Sequence, residues 1–315
     1  IKNCGDNMIK YADWHCDTAS SIYETGEHIS DSNTHINLKL LKNFDSPVQI
    51  FAVWLRKEYY NDAFNKTVEI INNFKNEIKS NMDSISLVKS YKDIVNNKGR
   101  VSAMLSIEGC EALEGSIEKL DMLYDMGVRL ATLTWNYKNC VATGVMESDL
   151  GGGLTEFGRK AVRHMEDRGI IIDVSHISDE GFYSVAEFTE KPFIASHSNC
   201  RSICKAPRNL TDEQIKLIGE RKGIIGLNMC QSFLNDSGKA SVDDVIKHTE
   251  HMLGICGENS ICLGCDFDGI PSTPEGMDNV TYIKSLYDRF ETEFGKDTAY
   301  KVVYGNFIDF IKDKI

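Results

Sequence analysis

The segment Tyr11–Asp17, YADWHCD, sets a histidine and an aspartate two residues apart, His15 and Asp17, at the end of a partly apolar run. In an extended chain residues i and i+2 point to one side, so an imidazole and a carboxylate are aimed together from a segment that otherwise reads as core. Four more groups of this kind close β-rich runs further on: Glu108 in LSIEG, His176 in IDVSH, His197 in IASHS and Asp266 in LGCDFDG. Singly, each has an ordinary explanation, since histidines hydrogen-bond, glutamates cap helices and aspartates shape turns. As a set they are costly to bury unless they are paired or ligate something. Two divalent ions about 3.5 Å apart need such a set, with at least one bridging carboxylate. Nitrogen and carboxylate donors without thiolates suit zinc, with manganese and iron as alternatives. A water shared by two such ions ionises near neutral pH, and Asp266 is placed to take its proton as a general base.

The elements that must position these groups alternate along the chain. After the opening segment, β-rich runs lie at Gln49–Arg56, Val101–Glu108, Val128–Thr134, Ile170–Ser175, Pro192–Ser196, Gly223–Asn228 and Ser260–Cys265. Several are almost wholly apolar, as strands covered on both faces of a parallel sheet are. Helical patterns fall between them, at Asn61–Asn81 (Val68, Ile71, Phe74 and Ile78 on one face), Ser116–Met126, Thr155–Arg168, Ser178–Phe188, Thr211–Arg221 and Ser241–Cys256. Thr155 reads as a cap, Thr211 with Gln214 as a capping box, and Gly127 and Gly169 as stops. Eight strand–helix units predict a single-domain α/β chain over residues 1–315, folded as a (β/α)8 TIM barrel. A doubly wound sheet would carry a glycine-rich phosphate turn after its first strand, and Gly151–Gly153 follow a long loop instead. In a barrel the strand ends meet at one mouth, where active sites lie.

Composition narrows the function classes. The chain has 315 residues, 42% hydrophobic and 26% charged, with a formal charge of −12. Its Lys and Arg residues are scattered, which argues against a nucleic-acid partner. No run approaches the roughly 18 apolar residues of a membrane span, and no charged-then-apolar leader is visible, so a cytoplasmic location is the expectation. The ten cysteines lack the four-ligand spacing of a structural zinc site and read as reduced, mostly buried thiols. Cys16 should face away from His15 and Asp17. The remaining histidines, His28, His35, His164, His248 and His251, read as structural.

The motifs WHCD, SIEG, IDVSH, ASHS, PRNLTDEQ and GCDFDG, in this order, resemble the membrane (renal) dipeptidase family, peptidase family M19, over about residues 10–310. The resemblance implies a binuclear zinc centre hydrolysing dipeptides, L,D as well as L,L, and a homodimer fits it. His15 and Asp17 would hold one zinc, His176 and His197 the other, and Glu108 would bridge them. Asp266 would transfer the proton, and Arg208 would pair with the dipeptide's free carboxylate through its planar fork of donors. Where well-known members carry a histidine that polarises the scissile carbonyl, this chain has Trp135, which cannot carry charge. Asn136 or Asn139 could donate a hydrogen bond there instead. Two rivals stand beside this reading: another binuclear hydrolase acting on a lactam, lactone or other amide, and a metal-binding barrel without turnover.

Overall fold

The structure, a computed structural model, describes residues 8–314. Nine strands occur among them: β1 (Ala12–Asp13), β2 (Val48–Trp54), β3 (Ile85–Leu87), β4 (Val101–Glu108), β5 (Val128–Thr132), β6 (Ile171–Asp173), β7 (Ile194–Ala195), β8 (Ile224–Leu227) and β9 (Ile261–Leu263). Every pairing is parallel. Eight strands close a ring in the order β1, β2, β4, β5, β6, β7, β8, β9, and Asp13 opposite Leu263 completes it. The chain is the (β/α)8 barrel that its alternation predicts. The ninth strand, β3, is an addition that the sequence reading lacks. It pairs with Val101–Ala103 of β4, below the point where β5 takes over from Leu105 onward.

Seven of the eight expected strands, the opening segment included, end earlier than their runs do. Ladder bonding stops at Asp173, Ala195 and Leu263, and the next two or three residues turn out of the sheet. His176, His197 and Asp266 therefore sit just beyond the strands, and only Glu108 is a strand residue. Turning is what lets these side chains converge: His176 and Asp266 have φ of 68° and 60°, a left-handed backbone that is uncommon outside glycine and concentrates at functional sites.

Along each strand the inward positions recur every second residue. At the foot of the barrel they are apolar: Val48, Met104, Leu130, Ile171, Ile194, Ile224 and Cys262 form one cluster, plugged by Trp14 packed on Phe307 and Phe310 of the C-terminal helix. Two residues further along they become small or polar on every strand of this set but β2, which carries Ile50; they are Ser106, Thr132, Asp173, Ser196, Gly226 and Gly264. A β-carbon on Gly226 or Gly264 would strike the Ser196 carbonyl, so only glycine fits there. Two residues further again lie Glu108, Asn228 and Asp266, at the mouth.

Helices Glu156–Arg168, Asp179–Phe188 and Asp212–Glu220 start on the side-chain caps Thr155, Ser178 and Thr211, the last with the full Gln214 capping box. Such a cap contributes about 1 kcal/mol. In the helix Ala63–Ser80 the buried face is Thr67, Ile70, Ile71, Phe74 and Ile78, so Ile70 takes the place expected for Val68, which lies at the boundary. No helix among the described residues is long and apolar enough to cross a membrane.

Candidate metal centre

Glu108 is the hub of the mouth. Its Oε1 lies 2.9 Å from His176 Nε2 and 3.5 Å from His197 Nε2, and its Oε2 lies 3.7 Å from His15 Nε2. His15 Nε2 is also 3.7 Å from Asp17 Oδ2 and from Asp266 Oδ1. Donor atoms thus fall into overlapping triads, Glu108/His176/His197 and His15/Asp17/Glu108, with Glu108 common to both; a third combines His15, His197 and Asp266. All six side chains are buried.

Hydrogen bonds set which ring nitrogen faces the hub. His176 Nδ1 donates to Asn136 Oδ1 at 2.8 Å, and His197 Nδ1 to Ser196 Oγ at 2.7 Å. Ser196 Oγ in turn donates to Asp173 Oδ2 at 2.6 Å. Both Nδ1 atoms therefore hold the protons, and the two Nε2 lone pairs, 2.9 Å apart, face Glu108. Outer partners commonly fix metal-binding histidines in this way.

The site is electron-rich. Burial, then Asp17, pushes the Glu108 carboxyl well above the usual range, and burial lifts Asp266 to about 6. Burial opposes a charge on His15, but Glu108, Asp17 and Asp266 together outweigh it and raise the imidazole to about 10. His176 and His197 are held well below their ordinary value by burial and nearby positive groups. Both ring nitrogens of His15 and Asp17 Oδ1 are buried without a hydrogen-bond partner. Orphaned lone pairs and clustered carboxylates of this kind are the donor set that divalent cations satisfy, and the residues present fit such ions.

Arg208 comes from the loop after β7. Its Nη2 donates to the His197 carbonyl at 3.2 Å, while its buried Nε finds no partner. Arg201 shapes this loop, donating to the Asn209 and Pro207 carbonyls and gripping Asp179 with both terminal nitrogens at 2.6 and 2.8 Å. A buried guanidinium with an unspent donor is costly unless an anion meets it.

A family model for membrane dipeptidases, peptidase family M19, matches residues 7–313. The chain belongs to that family. The membership makes it a metallopeptidase of the dipeptidase class. It is 31% identical over 225 residues to an uncharacterised protein encoded in the pqqA 5′ region of Klebsiella pneumoniae, covering 68% of this chain and 83% of that one. It is 32% identical over 211 residues to dipeptidase aclJ of Aspergillus oryzae, covering 65% of this chain but only 50% of the relative's length. Among solved structures it resembles a metallopeptidase of Rhodobacter sphaeroides liganded with a phosphinate mimic of the dipeptide L-Ala-D-Ala. The TM-score there is 0.90 at 22% identity, over 98% of this chain and 100% of that one.

Several residues that build this M19 site escape a reading of strand-end ligands. Asp13 accepts from the backbone of His15 at 2.9 Å and of Cys265 at 3.2 Å. Asp173 does the same for Ser175 and Ser196, at 2.9 and 2.8 Å, and takes the Thr132 hydroxyl at 2.6 Å. Each of these aspartates interrupts an otherwise apolar run, which is the signal that could have found them. Asn228 Nδ2 donates to Asp266 Oδ2 at 2.9 Å. His35 holds Asp268, accepting from its backbone N–H at 2.9 Å and donating its own backbone N–H to Oδ1 at 2.6 Å. Asn136 has its amide oxygen committed to His176, so only Nδ2 is free for a substrate. Asn139 is tied into its own loop at Leu133 and Val141. Cys16 does face away, its thiol against the Ile50 carbonyl.

Gly269 lies directly against the site: a β-carbon there would run into the carboxylates of both Asp17 and Asp266. Gly269→Ala should therefore displace both carboxylates at once. We expect bound metal to fall below that of the unaltered protein and kcat/KM to fall at least about tenfold, with the circular-dichroism spectrum unchanged. Full activity in this variant would mean that the Asp17 and Asp266 positions are not critical.

Proposed function

We propose that the chain hydrolyses the peptide bond of dipeptides, L,L and L,D, at a centre of two divalent ions, zinc suiting the donors best. The sharing of Glu108 between two donor triads is the observation that carries this reading. Glu108 would be shared by both ions, His15 and Asp17 would complete one position, and His176 and His197 would complete the other. Ions held there supply Lewis acidity toward the scissile carbonyl and make a water acidic enough to react at neutral pH. Asp266, turned into the mouth and steadied by Asn228, takes the proton of the attacking water and passes it to the leaving amine. Arg208 meets the free C-terminal carboxylate and so limits substrates to about two residues. Asn136 Nδ2, its amide oxygen held by His176, is the candidate donor to the substrate from the loop after β5, where Trp135 offers no charge.

The test is hydrolysis of an L,L and an L,D dipeptide panel, alongside lactams and lactones, by zinc-loaded protein. Cleavage confined to lactams would favour the rival hydrolase, and two bound metals without any turnover would favour the binding barrel. Arg208→Lys keeps the charge but loses the fork. We expect KM for dipeptides to rise roughly tenfold or more with kcat little changed, the pattern of lost uniform binding. An unchanged KM would remove Arg208 from carboxylate recognition. The nine cysteines among the described residues are free thiols, which supports a reducing compartment such as the cytoplasm. A homodimer, expected from the resemblance, is tested by the mass in solution.

A further inference from the structure

A cavity of about 330 Å³ opens beside Asp17 and Glu108, walled by Trp54 and Trp135. We infer that it receives the side chain of the dipeptide's N-terminal residue and selects large apolar side chains, aromatic ones above all. The inference rests on the proposed dipeptidase reading and its placement of Arg208. In ring order β2 stands directly across from β7, three strands intervening on either side. Arg208 follows β7, while Trp54 ends β2. A dipeptide whose carboxylate meets Arg208 and whose scissile carbonyl lies at Glu108 must send its N-terminal residue toward β2. Two residues span only about 7 Å when extended, so the neighbouring cavity is where that side chain falls.

The walls are preset. Ser20 Oγ accepts from Trp54 N at 2.9 Å and donates to its carbonyl at 3.1 Å. The indoles of Trp54 and Trp135 meet edge-on, with centroids 5.3 Å apart and planes at 63°. Trp135 leans on Tyr137, whose other support is the Lys57 ammonium 3.2 Å from the ring centroid. Rings held in this way present apolar area at little entropic cost. At the rim Arg56 Nε lies 3.4 Å from a Glu24 carboxylate oxygen. That pair offsets itself, and the other carboxylates on the cavity, Asp17, Glu108 and Asp268, disfavour an acidic side chain. A methyl group or a hydrogen would leave most of the space to water, whereas a benzyl or isobutyl group would exclude it.

The experiment is kcat/KM of the zinc-loaded enzyme for dipeptides with one fixed C-terminal residue and N-terminal Gly, Ala, Leu, Phe, Lys or Glu, and for a second series varied at the C-terminal residue behind one fixed N-terminal residue. We expect Phe and Leu to exceed Gly by about tenfold or more. Trp54→Ala and Trp135→Ala should each bring the Phe-to-Gly ratio toward one, with about two metals still bound and the order of preference at the C-terminal residue unchanged. A flat N-terminal series in the unaltered enzyme, or a maximum at Lys or Glu, would overturn the inference while leaving dipeptide hydrolysis intact. Discrimination lost at the C-terminal residue instead would mean that the dipeptide lies the other way round, and would also overturn it. No cleavage of any dipeptide would bring down the proposed function and this inference together.

Discussion

Asp266→Asn is expected to lower kcat for dipeptides by roughly 10²–10⁴-fold, the usual worth of a positioned proton-transfer group, with metal content unchanged at about two per chain. The substitution keeps the side-chain shape and removes the ability to hold a proton. Asp266 suits that task by position, since it lies in the mouth 3.7 Å from His15 Nε2, beside the donor atoms gathered at Glu108. Its left-handed backbone and the Asn228 contact fix its direction. Measuring metal and kcat on the same sample separates the two roles open to this carboxylate, which also falls in a donor triad with His15 and His197. Loss of metal would make Asp266 a ligand, and turnover at the unaltered level would dismiss it from catalysis.

Chelation is expected to abolish turnover and to lower the thermal midpoint by several degrees, with zinc restoring both. An ion that binds only the folded chain stabilises it by about 4 kcal/mol when its concentration is a thousandfold above Kd. Here the effect has a visible source, since the mouth gathers three carboxylates, each 3.7 Å from His15 Nε2, whose mutual repulsion bound cations would offset. Glu108→Gln tests the shared hub separately. We expect it to retain at most one ion, because one neutral amide oxygen replaces the carboxylate common to both triads. Retention of two ions with full activity, or turnover that survives chelation, would contradict the two-metal reading.

The barrel and the gathering of His15, Asp17, Glu108, His176, His197 and Asp266 were legible in the sequence because both follow from short-range pattern. Apolar runs of strand length show parallel strands, and a polar residue ending such a run marks the mouth. The supports were not legible to the same degree, because they depend on which strands neighbour one another. That His197 leans on Ser196 and Ser196 on Asp173 requires β6 beside β7 in one register. That Asn136 orients His176 depends on how the long loop after β5 folds back. Strand lengths were overread because an apolar residue beyond the last ladder bond looks no different from one within it. The short β3 was missed because Ile85–Leu87 offers only three residues, one of them fully buried.

His15 and Asp17 follow the first strand, and Asp266 follows the last. The ring joins there through Asp13 opposite Leu263 and, further along, Cys16 opposite Phe267, with the Asp13 carboxylate receiving the Cys265 backbone N–H. The active mouth therefore straddles the seam of the barrel. Its parts come together only after nearly the whole chain has been placed, a contact between distant segments of the kind that forms slowly. On the proposed reading, catalytic competence would thus report ring closure, since the metal position at His15 and Asp17 lies on one side of the seam and the proton-transfer group Asp266 on the other.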